Sequence, residues 1–147
     1  MTDPSRPVVR VVRRLPASRE EVFDAWLDAE SLQEWMCPGA TRKTVAEVDA
    51  RVGGRFRIVM TGEHGDTEHT GEYREIRRPD RLVFTWISTF TLGRETLVTI
   101  ELRVAGDETE LTLTHERLPD DDARKGHGEG WSSIVDKLAA KLSQLSH

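Results

Sequence analysis

The sequence predicts an α+β domain in which a curved antiparallel sheet is covered by a long C-terminal helix. Three observations carry this. Apolar and polar residues alternate at period two through most of the middle of the chain. The last stretch changes to helical spacing, with Trp131, Ile134, Val135, Leu138, Ala139, Leu142 and Leu145 on one stripe. Two short helical patterns follow the first strand, so helices and strands are segregated rather than interleaved.

The first strand is VVRVVRRL, Val8 to Leu15, β-branched and bounded by Pro7 and Pro16. In the next segment, ASREEVFDAWL, Ser18 and Glu21 form a capping box ahead of Val22, Phe23, Trp26 and Leu27 at helical spacing. A second short helix, Ala29 to Met36, offers Leu32, Trp35 and Met36 to one side, and CPGA ends it. Val45 to Asp49 alternates, and Gly53-Gly54 turns the chain. RFRIVM then puts Phe56, Ile58 and Met60 on one face. TGEHGDTEHT, Thr61 to Thr70, reads as a hairpin connection. GEYREIRRPDRLVFTW, Gly71 to Trp86, reads as two strands around a Pro-Asp turn. LVTIELRV places Val98, Ile100, Leu102 and Val104 together; after the AGDET turn, ELTLTHE places Leu111, Leu113 and His115 together. The three glycines of GHGEGW, Gly126 to Trp131, imply a break, a close backbone approach or the start of the last helix.

The 147 residues fit one domain, 1–147, able to fold without staples. A single cysteine, Cys37, excludes an intrachain disulfide and fits a reducing compartment. MTDPSRPVVR has no apolar run of signal-peptide type, and no segment approaches the length of a membrane span. The expectation is a cytoplasmic protein. A net charge of -5, from 21 basic and 26 acidic residues, argues against a nucleic-acid partner. Arg10, Arg13 and Arg14, and Arg77, Arg78 and Arg81, read as solvated strand faces and turn charges.

Catalytic and metal motifs are not evident. There is no GxSxG elbow, HExxH or P-loop, and in GHGEGW a tryptophan stands where a dinucleotide fingerprint needs its third glycine. EHGDTEH, Glu63 to His69, has two histidines among acidic residues but no zinc-type spacing, so it reads as a solvated loop. Cys37 has no histidine partner in the sequence and reads as a packed or loop thiol. No catalytic residue, metal or cofactor is assigned.

The chain resembles the START-like superfamily, with its helix-grip fold. Within it, the chain looks like the family named after the activator of the heat-shock-protein-90 ATPase. The match rests on Pro16 with Val22-Phe23-x-Ala25-Trp26, Leu32-x-x-Trp35, and Gly53-Gly54 with Phe56 and Met60. It continues through Gly71-x-Tyr73-x-Glu75-Ile76-x-x-Pro79-x-Arg81-Leu82-Val83-Phe84-Thr85-Trp86, Thr109-x-Leu111-x-Leu113-x-His115 and His127-x-x-Gly130-Trp131. The resemblance implies a cavity between sheet and long helix, in a family that includes ligand binders, self-resistance proteins, enzymes and co-chaperone domains. The chain has no room for the extra N-terminal domain of the eukaryotic activators, which argues against activation of the chaperone ATPase.

By strand parity, Phe56, Ile58, Met60, Tyr73, Phe84, Trp86, Ile100, Leu111, Leu113 and His115 project from the sheet into that space, and Trp35, Trp131, Ile134, Val135 and Leu138 close it. Tyr73 and His115 are the polar groups, with Glu75 two residues beyond Tyr73. These side chains either line a ligand pocket or fill one another as a core. His115 either orients a ligand or is a core histidine bonded to Tyr73 or a backbone carbonyl. The expected function is binding of a hydrophobic or aromatic, lipid- or polyketide-like small molecule. The alternatives are an enzyme using the same cavity, of hydrolase, cyclase or dehydratase type, and a stress-related co-chaperone-like interaction module. An exposed first or edge strand leaves a homodimer open.

Overall fold

The computed structural model describes residues 8–63 and 65–145. Residues 1–7, His64, residues 146–147 and the side chain of Leu145 lie outside the described residues. Strand β1 (Val9–Leu15) leads into α1 (Arg19–Leu27) and α2 (Ala29–Trp35). Six strands follow: β2 (Lys43–Val48), β3 (Arg55–Gly62), β4 (Gly65–Arg77), β5 (Arg81–Trp86), β6 (Thr96–Ala105) and β7 (Glu108–Glu116). The 25-residue helix α3 (Asp121–Leu145) ends the chain. The seven strands form one antiparallel sheet in the order β1-β7-β6-β5-β4-β3-β2. The α+β helix-grip arrangement read from the sequence is the one observed.

Local chemistry explains the elements. Ser18 caps α1 as the sequence predicts: its hydroxyl accepts from the Glu21 amide, and the Glu21 carboxylate reaches back to the Ser18 amide. The Asp28 carboxylate caps α2 through the Glu30 amide. The sheet's apolar face and the stripe of α3 share one core that includes Phe56, Trp86, Leu113, Trp131 and Leu138. Burying each such large apolar side chain contributes about 1.5–3 kcal/mol.

Two glycine-rich readings are corrected. Thr61 to Thr70 is mostly strand, because β3 continues to Gly62 and β4 already begins at Gly65. Two of its polar residues pair across the strands, Asp66 with Thr61 and Glu68 with Arg57 of β3, whereas His69 is buried. GHGEGW neither breaks nor begins the last helix; α3 runs through it from Asp121. No close backbone approach explains these glycines either. A Cβ on Gly128 would meet Val9 at 4.0 Å, one on Gly130 would meet Pro38 at 3.9 Å, and Gly126 faces open space.

A third correction concerns Glu75. The β4–β5 register pairs Tyr73 with Phe84 but Glu75 with Val83, so a bulge inserts one residue. Glu75 is thereby turned away from the interior and pairs with Arg81 and Arg77. Val104 also departs from its strand's buried face: at the end of β6 it is exposed.

Candidate functional site: an aromatic cage under the long helix

Gly71 and Phe56 set the floor of the site. They are direct cross-strand partners on β4 and β3. The Phe56 ring lies over the glycine: a Cβ at position 71 would fall 2.4 Å from Phe56 Cζ and 2.0 Å from the Thr85 carbonyl oxygen. Only glycine lets the ring lie there without displacing backbone. Phe56 then meets Tyr73 at 5.5 Å, Phe84 at 5.4 Å and Trp86 at 5.8 Å between ring centroids. From the helices, Trp131 approaches Trp86 at 5.0 Å and Trp26 at 6.2 Å.

These rings surround a small interior cavity of about 10 Å³, lined by Trp26, Leu32, Met36, Phe56, Ile58, Tyr73, Phe84 and Trp86. That is room for about one water molecule. Of the side chains that strand and helix patterning places inward, Phe56, Ile58, Tyr73, Phe84 and Trp86 line it. Trp35, Met60, Ile100, Leu111, Leu113, His115, Trp131, Ile134, Val135 and Leu138 are buried in the core around it. Trp26, Leu32 and Met36 line it without having been assigned to it from sequence. Their signal was present, since all three fall on the apolar sides of the two short helices.

His115 is fully buried and satisfied at both nitrogens. The Trp131 indole N–H donates to Nδ1 at 2.9 Å. Nε2 lies 2.7 Å from the Thr96 hydroxyl oxygen, and that hydroxyl donates to the Trp86 carbonyl at 2.5 Å. Nε2 therefore carries the proton and donates to Thr96, which makes the ring a neutral imidazole with no free lone pair. Burial, and next to it the neighbouring His127, push its pKa down to about 2. Its partners are thus Thr96 and Trp131, not Tyr73 or a backbone carbonyl. Tyr73 sits three strands away from β7, roughly 14 Å at ordinary strand spacing. Burial, with Asp49 nearby, raises the Tyr73 pKa and keeps the phenol neutral.

His69 is the group that sequence reasoning missed. It lies on β4 two residues before Gly71 and is 5% exposed, yet among the described residues neither ring nitrogen has a hydrogen-bond partner. It stacks on Trp86 at 4.8 Å and under Phe90 at 6.4 Å. Burial pushes its pKa down to about 4, with His127 contributing. Continuing the β4 parity back from Tyr73 would have found it, had Thr61 to Thr70 not been read as loop. The Nε1 groups of Trp26 and Trp86 are also buried without partners among the described residues.

Other candidates resolve into structure. The Cys37 thiol contacts the Glu34 carbonyl at 3.6 Å, and the Lys137 ammonium holds the loop carbonyls of Cys37 and Gly39. Arg78 binds Asp24 through two nitrogens, and Arg13 pairs with Asp136 of α3. Among the described residues no three His, Cys, Asp or Glu side chains cluster in a way that could hold a metal ion, and His64 of EHGDTEH is outside them. No helix among these residues is long and apolar enough to cross a membrane.

The family profile described as "Activator of Hsp90 ATPase homolog 1-like protein" matches residues 16–143. The chain belongs to this family. Solved structures of similar fold include the AHSA1 protein from Silicibacter pomeroyi, 28% identical with a TM-score of 0.77, covering 95% of this chain and 99% of that one. A protein from Chromobacterium violaceum is 26% identical with a TM-score of 0.82, covering 92% of this chain and 96% of that one. An HSP90 activator from Plasmodium falciparum is 25% identical with a TM-score of 0.76, covering 93% and 96%. No curated protein matches the chain in sequence. In this Activator of Hsp90 ATPase homolog 1-like chain the motif block from Gly71 to Trp86 builds the floor and one wall of the cage.

Proposed function

We propose that this protein binds a hydrophobic or aromatic small molecule in the cage between the sheet and the two short helices, rather than against α3 as the sequence suggested, without catalysing its conversion. One observation carries the reading: five of the eight side chains around the interior cavity, Trp26, Phe56, Tyr73, Phe84 and Trp86, are aromatic, and none of the eight is charged. An apolar, aromatic-lined void is the surface on which a hydrophobic or aromatic molecule would pack. The cavity is closed to about 10 Å³, so binding requires the cage to widen. Leu32 on the short helix α2 and Met36 at its C-terminal cap are the aliphatic walls that would give way. The cavity-enzyme reading finds less support, since His115 is locked neutral by two partners and Glu75 faces outward. The lone cysteine favours a reducing, cytoplasmic setting.

Native mass spectrometry of freshly purified protein, before and after denaturation, tests the reading. A bound mass of a few hundred daltons released on unfolding supports it, and the same spectrum gives the subunit count. A clean mass from native cells, together with no uptake from a panel of aromatic compounds, would overturn it. One observation favours a second reading, an interaction module: Phe90 and Leu92 stand 60% and 62% exposed on the loop between β5 and β6. A pull-down that recovers the heat-shock chaperone from wild type but not from a Phe90→Ser, Leu92→Ser variant would favour it.

A further inference from the structure

Helix α3 is built in two unlike halves. Its buried side chains, Trp131, Ile134, Val135, Leu138, Ala139 and Leu142, all belong to the second half, and no residue from Asp121 to Gly130 is buried. The first half also holds Gly126, Gly128 and Gly130. Space requires none of the three to be glycine: an added Cβ would meet nothing at position 126, Val9 at 4.0 Å at position 128 and Pro38 at 3.9 Å at position 130. Each still lowers the local helix population about fivefold relative to alanine. The half is held at its ends instead. Leu118 is buried ahead of it, the Asp120 carboxylate accepts from the Ala123 amide at 2.8 Å, and Trp131 docks behind it. Between these points His127 lays its ring against His115, 4.8 Å between centroids, while its Nδ1 bonds the Ala123 carbonyl of its own helix.

We propose that residues 121–130 are a lid: they unwind locally about their glycines while the helix from Trp131 onward stays docked, and the opening uncovers the bond between Trp131 and His115. Helical stability in a folded protein comes chiefly from packing of an apolar face, and this half buries no side chain fully. Segments with few buried contacts open well below the free energy of global unfolding. The second half, docked through its buried stripe, does not share that weakness. Ordinary fraying is a different event. It is confined to the terminal turn, where the Asp120 cap opposes it. The lid instead runs roughly three turns, up to the residue before Trp131. Under its His127 lies His115, whose nitrogens are engaged by Thr96 and Trp131. An open lid therefore bares the polar chain that ties α3 to the sheet, and it needs no ligand to do so.

Hydrogen exchange on the full-length protein, followed by NMR at urea concentrations well below the unfolding midpoint, tests this. The amides of residues 126–130 are expected to exchange at least about 100-fold faster than those of residues 134–142, the product of three glycines at about fivefold each. Their exchange should depend little on urea, because opening the lid exposes little surface. The Trp131 indole N–H, bonded to His115 at 2.9 Å, should exchange with the lid rather than with the second half. Gly126→Ala adds its methyl to open space and should slow both signals about fivefold. Adding Gly128→Ala and Gly130→Ala should bring the slowing to on the order of 100-fold. If the triple variant does not fold, the single variant and the wild-type pattern decide. Equal protection of the two halves, with one urea dependence, would overturn the lid, because the helix would then open only with the whole molecule. Fast exchange that Gly126→Ala leaves unchanged would overturn it too, since the glycines would not be the joint. An indole N–H as protected as the amides of residues 134–142 would also overturn it, because the first half would then loosen without uncovering His115.

Discussion

The Trp131 indole on α3 donates to His115 Nδ1 on β7 across 2.9 Å, and His115 passes the chain of hydrogen bonds through Thr96 to the Trp86 carbonyl. The long helix is thereby tied to β7, β6 and β5 by polar contacts inside an apolar core. Thr96→Val keeps the shape of the threonine and removes the group that receives the imidazole proton. We expect this change to cost about 1–3 kcal/mol, the penalty for stranding a buried donor. Urea unfolding measures it. A change below about 0.5 kcal/mol would show that the bond contributes nothing beyond packing.

Two buried neutral histidines make stability pH-dependent. The His115 and His69 pKa values are depressed to about 2 and about 4 in the folded protein, from 6.5. Once unfolded, the chain takes up protons at these rings as pH falls below 6.5, and the folded protein does not. Stability is therefore full above pH 6.5 and falls as pH drops toward the folded values. By linkage each ring accounts for about 2 kcal/mol lost between pH 7 and pH 5. His127, also depressed by burial, acts in the same direction. Unfolding midpoints at pH 7, 6 and 5 should decline, with a shallower decline in His69→Phe. A flat profile over that window would refute the assignment, because few carboxylates titrate there.

Gly71→Ala is expected to be among the most damaging single-methyl changes in the chain. The added Cβ meets the Thr85 carbonyl at 2.0 Å and the Phe56 ring at 2.4 Å, and the backbone contact cannot be relieved by rotating a side chain. A loss on the order of 3 kcal/mol follows from overpacking at such a point. Adding Phe56→Leu should restore only part of it, since the carbonyl clash remains. Full restoration would show that the ring alone sets the requirement.

Leu32→Ala separates stability from capacity. Leu32 is buried and lines the cavity, so truncation should cost about 2–5 kcal/mol. The same truncation widens the cage, so a flat hydrocarbon probe such as fluorene should bind more tightly to the weaker protein. Calorimetry for stability and dialysis for binding read the two effects. A drop in both would mean that the cage collapses around the missing side chain.

Most of the architecture was legible because one face of each strand is apolar and the other is not. The alternation through Phe56, Ile58 and Met60, and through Ile100, Leu111 and Leu113, sets inward and outward positions directly. The reading failed where that contrast vanishes. The first half of β4 offers Thr67 and His69 inward, neither of them aliphatic, so the strand looked like a loop. The glycines of GHGEGW looked like a break because helix propensity is local. Packing of Trp131, Ile134, Val135 and Leu138 against the sheet carries the helix through them. The bulge that turns Glu75 outward depends on pairing between two strands, which no single segment reveals. For the site, patterning found the right face but not its centre. Which buried rings meet at a void is set by three-dimensional contacts among three strands and three helices.

The closed cage has a kinetic consequence. If the binding-competent form is a minor widened state, the measured dissociation constant is the intrinsic one divided by that state's population. Association then proceeds no faster than widening, and the observed rate levels off as probe concentration rises instead of climbing in proportion. A protein built this way discriminates by residence as much as by fit. A molecule that fills the cage holds α2 and the sheet apart, and it leaves only as often as an occupied cage reopens.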